Sequence, residues 1–269
     1  MERERFIVGI YNYCDYWCPR CAFTRRCRNF SMGDALEREA RGEPPPDDTG
    51  NAAFWNRLAD TLGQAAASGR AAEWDEAVSE DDLLEPDPAW EAREESLQQA
   101  VEAHPLTHLA RDYRTRVPPW LEAADADLKR VAAEMVEAAR GGVGVDALTN
   151  EAHDIGEMIE VISWYHTLIP SKLNRALRGM MESGDEDLSD LLAGFRLEDA
   201  NGSAKVVLIA IDRSMAAWLR LREILPDRED SILGMLALLS RMRRMLRAAL
   251  PGAESFRRPG FDGEPEEDD

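Results

Sequence analysis

A chain of 269 residues, 44% of them apolar, is long enough for one large domain or two small ones and can bury a core. Its formal net charge of -20 excludes general binding to nucleic acid or to anionic membranes, because phosphate would be repelled. Ala, Leu, Glu and Arg dominate and aromatics are few, a balance that favours helix.

The charge is unevenly spread. Residues 1–32 carry a net +3, whereas residues 33–104 carry a net -14. "MERERFIVGIYNYC" has too short an apolar stretch, and no small-residue cleavage site, for a secretory leader. The longest apolar run, "VVLIAI", falls far short of the roughly 20 residues of a membrane span. The expectation is a cytoplasmic protein without membrane or nucleic-acid partners.

In chain order, "RFIVGIYNY" is a short β-prone run, and Pro19 suits the first turn of a short helix reaching about Phe30. "RGEPPPDDTGN" is a linker, since three successive prolines block helix. Helix resumes at "AAFWNRLADTLGQAAAS", followed by an acidic, mixed stretch over residues 70–88. Four long helical stretches follow. The first runs from about Pro88 to Arg140, with breaks or kinks expected at Pro105 and Pro118-Pro119. The second runs from a cap at Asp146 to about Ser183, with a kink at Pro170. The third is "DANGSAKVVLIAIDRSMAAWLRLREILP". The fourth, "DREDSILGMLALLSRMRRMLRAALPG", has acids at its start and arginines toward its end, as the helix dipole prefers. The predicted fold is mainly α: an antiparallel helical bundle with an N-terminal four-cysteine metal knot. The predicted organisation is a metal-binding segment at 1–32, a linker at 33–50, the bundle at 51–250 and a disordered acidic tail at 251–269.

The chemistry sits in "YCDYWCPRCAFTRRC". All four cysteines of the chain, Cys14, Cys18, Cys21 and Cys27, fall there, spaced C-x3-C-x2-C-x5-C. In a cytosolic chain such a cluster reads as metal ligands before disulfides. Four thiolates suit a [4Fe–4S] cluster or tetrahedral zinc, and Arg20, Arg25, Arg26 and Arg28 would offset their charge. The competing reading packs the cysteines as small apolar residues.

Cys14, Cys18 and Cys21 match the C-x3-C-x2-C motif of radical S-adenosylmethionine enzymes. Arg20, however, stands where that family usually has an aromatic, and the chain beyond residue 50 lacks the family's repeated β/α units. "CPRCAFTRRC" resembles [4Fe–4S] segments of radical-enzyme auxiliary domains and of CRISPR-associated RecB-like nucleases. The likeness covers about ten residues and implies a cluster site; the acidic strand motifs of those nucleases are absent. "CPxC" is also common in zinc knuckles, with Ala22 where Gly is usual. As a whole, the N-terminal segment resembles that of an uncharacterised bacterial family, which implies no function.

Other polar groups compete for attention. His153, Glu157 and Glu160 share one helical face, opposite an apolar one, and are expected to be solvated. His166 falls within the apolar arc and is read first as a hydrogen-bonded core histidine. The third helix is apolar almost all round from Val206 to Leu219, so it should be the most buried. Asp212 and Arg213 interrupt it, and a structural pair between Asp212 and an arginine of the fourth helix is expected. The functional alternative makes His166 and Asp212 catalytic. His104 and His108 form a weak metal pair, and there is no E-x-x-H, P-loop or G-x-G-x-x-G.

The expected function is metal binding, with a [4Fe–4S] cluster serving electron transfer or redox sensing. The alternatives are a non-catalytic interaction protein stapled by zinc, and a metal-dependent bundle enzyme. The basic head is expected to meet the acidic segment containing Glu73, Asp75, Glu76, Glu80, Asp81, Asp82 and Glu85, or else an outside acidic protein partner.

Overall fold

The computed structural model describes residues 6–33, 88–142, 144–184 and 189–263. Among the described residues the chain is mainly helical and contains no strand. It divides into two compact units: residues 1–6 with 22–96, and residues 7–21 with 97–269. The linker and the acidic stretch at 70–88 lie, but for Pro88, outside the described residues.

Five long helices follow residue 87: α1, Pro88–Ala103; α2, Pro105–Arg140; α3, Val145–Glu182; α4, Asp190–Ile224; and α5, Glu229–Ala249. Their buried residues recur at three- and four-residue steps. On α2 these are Leu106, Ala110, Tyr113, Val117, Trp120 and Ala124. On α3 they include Met158, Ile162, Tyr165, Ile169, Leu173 and Ala176. One stripe per helix is buried in this way, and in the second unit α2, α3, α4 and α5 share one apolar core with Val101 of α1. α4 buries residues on nearly every side, including Val206, Val207, Ala210, Ile211, Trp218 and Leu221, as its composition required.

The helix ends follow local chemistry. Pro105 ends the first expected helix as anticipated. His104 Nδ1 accepts from the Leu106 N–H at 3.2 Å, which makes His104 the N-cap of α2. Pro118 and Pro119, in contrast, do not break α2, and Pro170 lies within α3. The carbonyls deprived of a donor by the α2 prolines belong to Arg114 and Thr115, both exposed, so water can replace the lost partners. α3 has no side-chain cap, and Asp146 lies in its first turn. α4 begins at Asp190, a full nine residues before the expected start.

The N-terminal segment departs further from expectation. The β-prone run forms no strand: Gly9 takes a left-handed φ of 74° and a 3-10 turn follows at Ile10–Asn12. The short helix expected after Pro19 is two 3-10 turns, Cys18–Arg20 and Thr24–Arg26, before residues 28–33 become helical. Residues 251–263, expected within the disordered tail, are folded. Phe256 packs edge-on against Tyr13 at 4.8 Å, and Arg258 clasps Asp262 at 2.8 Å.

Candidate metal centre

All four cysteines are half-buried thiols. Cys14, Cys18 and Cys21 belong to the stretch that clusters with α2–α5, and Cys27 to the other unit. Cys27 ends the Thr24–Arg26 turn, its N–H donating to the Thr24 carbonyl at 3.2 Å. Cys18 and Cys21 flank a turn in which the Cys21 N–H donates to the Cys18 carbonyl at 3.1 Å. Among the described residues, no group of three or more His, Cys, Asp or Glu side chains is gathered closely enough to hold a metal ion. By its chemistry the donor set suits a thiophilic metal.

What holds residues 7–21 in place is a set of polar and aromatic contacts with α3 and α4. Asp15 is the hub. Its carboxylate accepts from Tyr165 Oη at 2.8 Å and from Arg213 Nη1 at 3.1 Å, and its carbonyl accepts from Trp164 Nε1 at 2.9 Å. Trp17 stacks on Trp164 with ring centroids 5.3 Å apart, and the Arg20 guanidinium covers its ring at 4.4 Å. Arg20 also bonds Glu157 at 2.9 Å and pairs with Glu160. These two acids, expected to be merely solvated, are thus partners of the cysteine segment.

A second anchor lies at Tyr13, which donates to Asp199 Oδ1 at 3.1 Å. Arg175 grips the same carboxylate through Nε at 2.9 Å and Nη2 at 2.5 Å. Burial, reinforced by Asp199, pushes the Tyr13 hydroxyl up to about 12. Burial likewise raises Tyr165 to about 12, with Arg213 opposing it, so both phenols stay protonated donors at neutral pH.

The third anchor is Lys172 of α3, only 3% exposed. Its Nζ donates to the Asn12 carbonyl at 2.9 Å and sits over the Tyr16 ring at 4.4 Å. Tyr16 is the one non-glycine residue with positive φ among the described residues, at 54°, a conformation that costs about 1–2 kcal/mol and turns its ring onto the ammonium. Burial pulls Lys172 down to about 8, and the neighbouring Cys14 is the first group that counters this. Burial also pushes the Cys14 thiol up, with the Tyr16 backbone and Lys172 opposing. Cys14 Sγ donates to the Tyr11 carbonyl at 3.5 Å.

The catalytic candidates are engaged elsewhere. Asp212 pairs with Arg243 of α5 at 2.8 Å, the structural pair expected. His166 Nδ1 lies 2.7 Å from the carbonyl of Ser163 in its own helix. Asp15, Lys172, Asp199 and the tryptophan pair were missed from the sequence. Lys172 carried a signal, since it falls on the apolar arc of α3 three residues after Ile169. Asp15 carried none beyond its place between two cysteines.

No helix among the described residues is long and apolar enough to cross a membrane. Compared with known proteins, the chain matches no family model, no curated protein and no solved structure.

Proposed function

We propose that this chain is a cytoplasmic metal-binding protein in which the thiolates of Cys14, Cys18, Cys21 and Cys27 hold one [4Fe–4S] cluster that serves electron transfer or redox sensing. The observation that carries this reading is the confinement of every cysteine of the chain to fourteen residues. The segment's own backbone supplies only short turns, so a bound centre would add the cross-links that turns lack. The clamps at Asp15, Asn12 and Tyr13 support the reading, because a centre fixed against α3 and α4 would pass a change in its charge to those helices. In the same proposal the long helices form an antiparallel bundle and the cysteine segment is a knot docked on it. Arg25 and Arg26, both exposed, are where an acidic protein partner would dock.

The second reading is a zinc staple in a non-catalytic interaction protein. It is favoured by the Cys18–Pro19–Arg20–Cys21 turn, the kind that a zinc knuckle uses. An enzyme centred on His166 and Asp212 has less support, since Asp212 is bound by Arg243 and His166 lies against a carbonyl.

The test is to purify the full chain without oxygen, record its absorption spectrum and assay iron, sulfide and zinc. Brown protein containing iron and sulfide supports the cluster. Colourless protein with one zinc per chain selects the staple. Metal-free protein that takes up neither metal on reconstitution overturns both.

A further inference from the structure

We infer that the exposed apolar side of the first two turns of α4 is a docking surface for a basic amphipathic helix of a partner protein. The inference stands apart from the metal reading above.

Leu191, Leu192 and Phe195 expose 71%, 53% and 60% of their surface. Exposed leucines scattered singly are ordinary on a protein surface. These three fall on one side of a helix at i, i+1 and i+4 spacing, and so form one continuous patch. The core does not use that side. α4 meets α3 on its opposite side, where Gly179 lies against the Arg196 carbonyl and Ala200. The patch side runs on along α4 through Asp199 and Gly202, and there it is covered. Tyr13 bonds Asp199, and the rings of Tyr13 and Phe256 press on Gly202. That cover does not extend over Phe195, so the apolar side continues bare toward the start of the helix.

Charge selects the occupant. The stretch from Glu182 to Glu198 holds six acids and a single cation, Arg196, which Glu182 engages at 3.3 Å. Asp190 and Glu198, both exposed, bracket the patch along the helix. A second copy of this chain would set acid against acid across the contact, and like charges brought together there repel. An anionic lipid surface meets the same repulsion. Two helical turns also offer far less area than the roughly 800 Å² per partner that a standard stable interface buries, so a single helix fits the patch better than a second subunit. A helix with leucine-like residues on one side and lysine or arginine at its edges satisfies the whole surface. Its apolar side covers the three side chains, and its cations meet Asp190 and Glu198.

The test uses the full chain and a synthetic peptide of about 18 residues, five helical turns, with leucine on one side and lysine on the other. Fluorescence anisotropy of the labelled peptide reads binding, and hydrogen exchange of the α4 amides reads where it binds. The expected result is saturable binding that slows exchange at residues 190–198. It should weaken tenfold or more in the double variant L191A/F195A and about threefold or more in D190N/E198Q. L233A, which removes an exposed leucine of α5, should bind as wild type does, and a leucine–glutamate peptide should not bind. The changed side chains are exposed, so L191A/F195A should melt with wild type; should it not fold, the exchange footprint on the wild-type chain decides the question. A leucine–lysine peptide that binds L191A/F195A as tightly as wild type, or leaves exchange at residues 190–198 unchanged, overturns the inference. So does a wild-type chain that sediments as a dimer while L191A/F195A sediments as a monomer, which gives the patch to a second copy. Binding to phosphatidylcholine vesicles that the double variant loses also overturns it, and gives the patch to a membrane.

Discussion

Tyr13 reaches Asp199 only because residue 202 has no side chain. A Cβ built on Gly202 would lie 2.3 Å from Tyr13 Cε1 and 2.7 Å from Phe256 Cζ, distances that real atoms do not tolerate. An alanine in the middle of α4 would otherwise help the helix by about 1 kcal/mol. Overpacking costs roughly 1–3 kcal/mol, and here two rings must move together, so the loss should win. G202A is therefore expected to lower the melting temperature by several degrees. It should also make Cys14 react faster with a thiol reagent, because its neighbour Tyr13 is displaced. A G202A chain that melts higher than wild type would show that the ring contacts are not held. The same scale explains why Asp15 matters more than its size suggests: one carboxylate and one carbonyl tie the cysteine segment to both α3 and α4.

Between the long helices, α3 and α4 approach closely at Gly179. A Cβ there would stand 3.0 Å from the Arg196 carbonyl oxygen and 3.2 Å from Ala200 Cβ. A backbone carbonyl gives way only if its helix moves, so G179A should cost about 1–2 kcal/mol net of its gain in helix propensity. Gly156, on the exposed side of the same helix, has nothing within 4 Å of such a Cβ. G156A should instead raise stability by roughly 0.5–1 kcal/mol. Denaturant melts of the two variants check the pair; equal shifts would mean that α3 and α4 are not in close register at Gly179. The prolines of α2 and α3 belong to this scale too. Propensity argues for a break at each, but the buried residues flanking Pro118-Pro119, Val117 and Trp120, hold α2 in one piece.

Within the second compact unit, residues 7–13 meet residues 251–263. Residues 251–263 bring Phe256 to Tyr13, Gly260 against Ile7 and Ile10, and the Glu254 carbonyl to Lys205 Nζ at 2.7 Å. A chain ending at Leu250 should therefore melt several degrees lower, and residues 7–21 should be cut first in limited proteolysis. Unchanged melting would show that the C-terminal stretch is not part of the fold. Surface ion pairs contribute less at this scale than their number suggests. Pairs such as Lys129–Asp125 and Arg140–Glu137 are exposed and worth about 0–1 kcal/mol each, so the shared core carries the stability.

Much of the helical architecture was legible in the residues alone. The three- and four-residue recurrence of apolar positions marks α2, α3 and α5 directly. Their ends carry local signals: Pro105 starts α2, and acids open α5 while Arg247 lies in its last turn. The near-unbroken apolar stretch of α4 implied its burial, and charge balance implied a partner for Asp212. The four cysteines, too, are a property of sequence. The conformation of the segment around them is not, because fifteen residues without a repeating pattern have no local preference strong enough to choose a backbone. There the tertiary contacts decide. Asp15 and Tyr13 find their partners on helices more than a hundred residues away, and Lys172 is aimed at Asn12 by the rotation of α3. Gly9 and Tyr16 accept left-handed turns that fit those contacts. A β-prone composition lost to that packing, since a lone strand has no neighbour to satisfy its backbone, whereas turns docked on helices do.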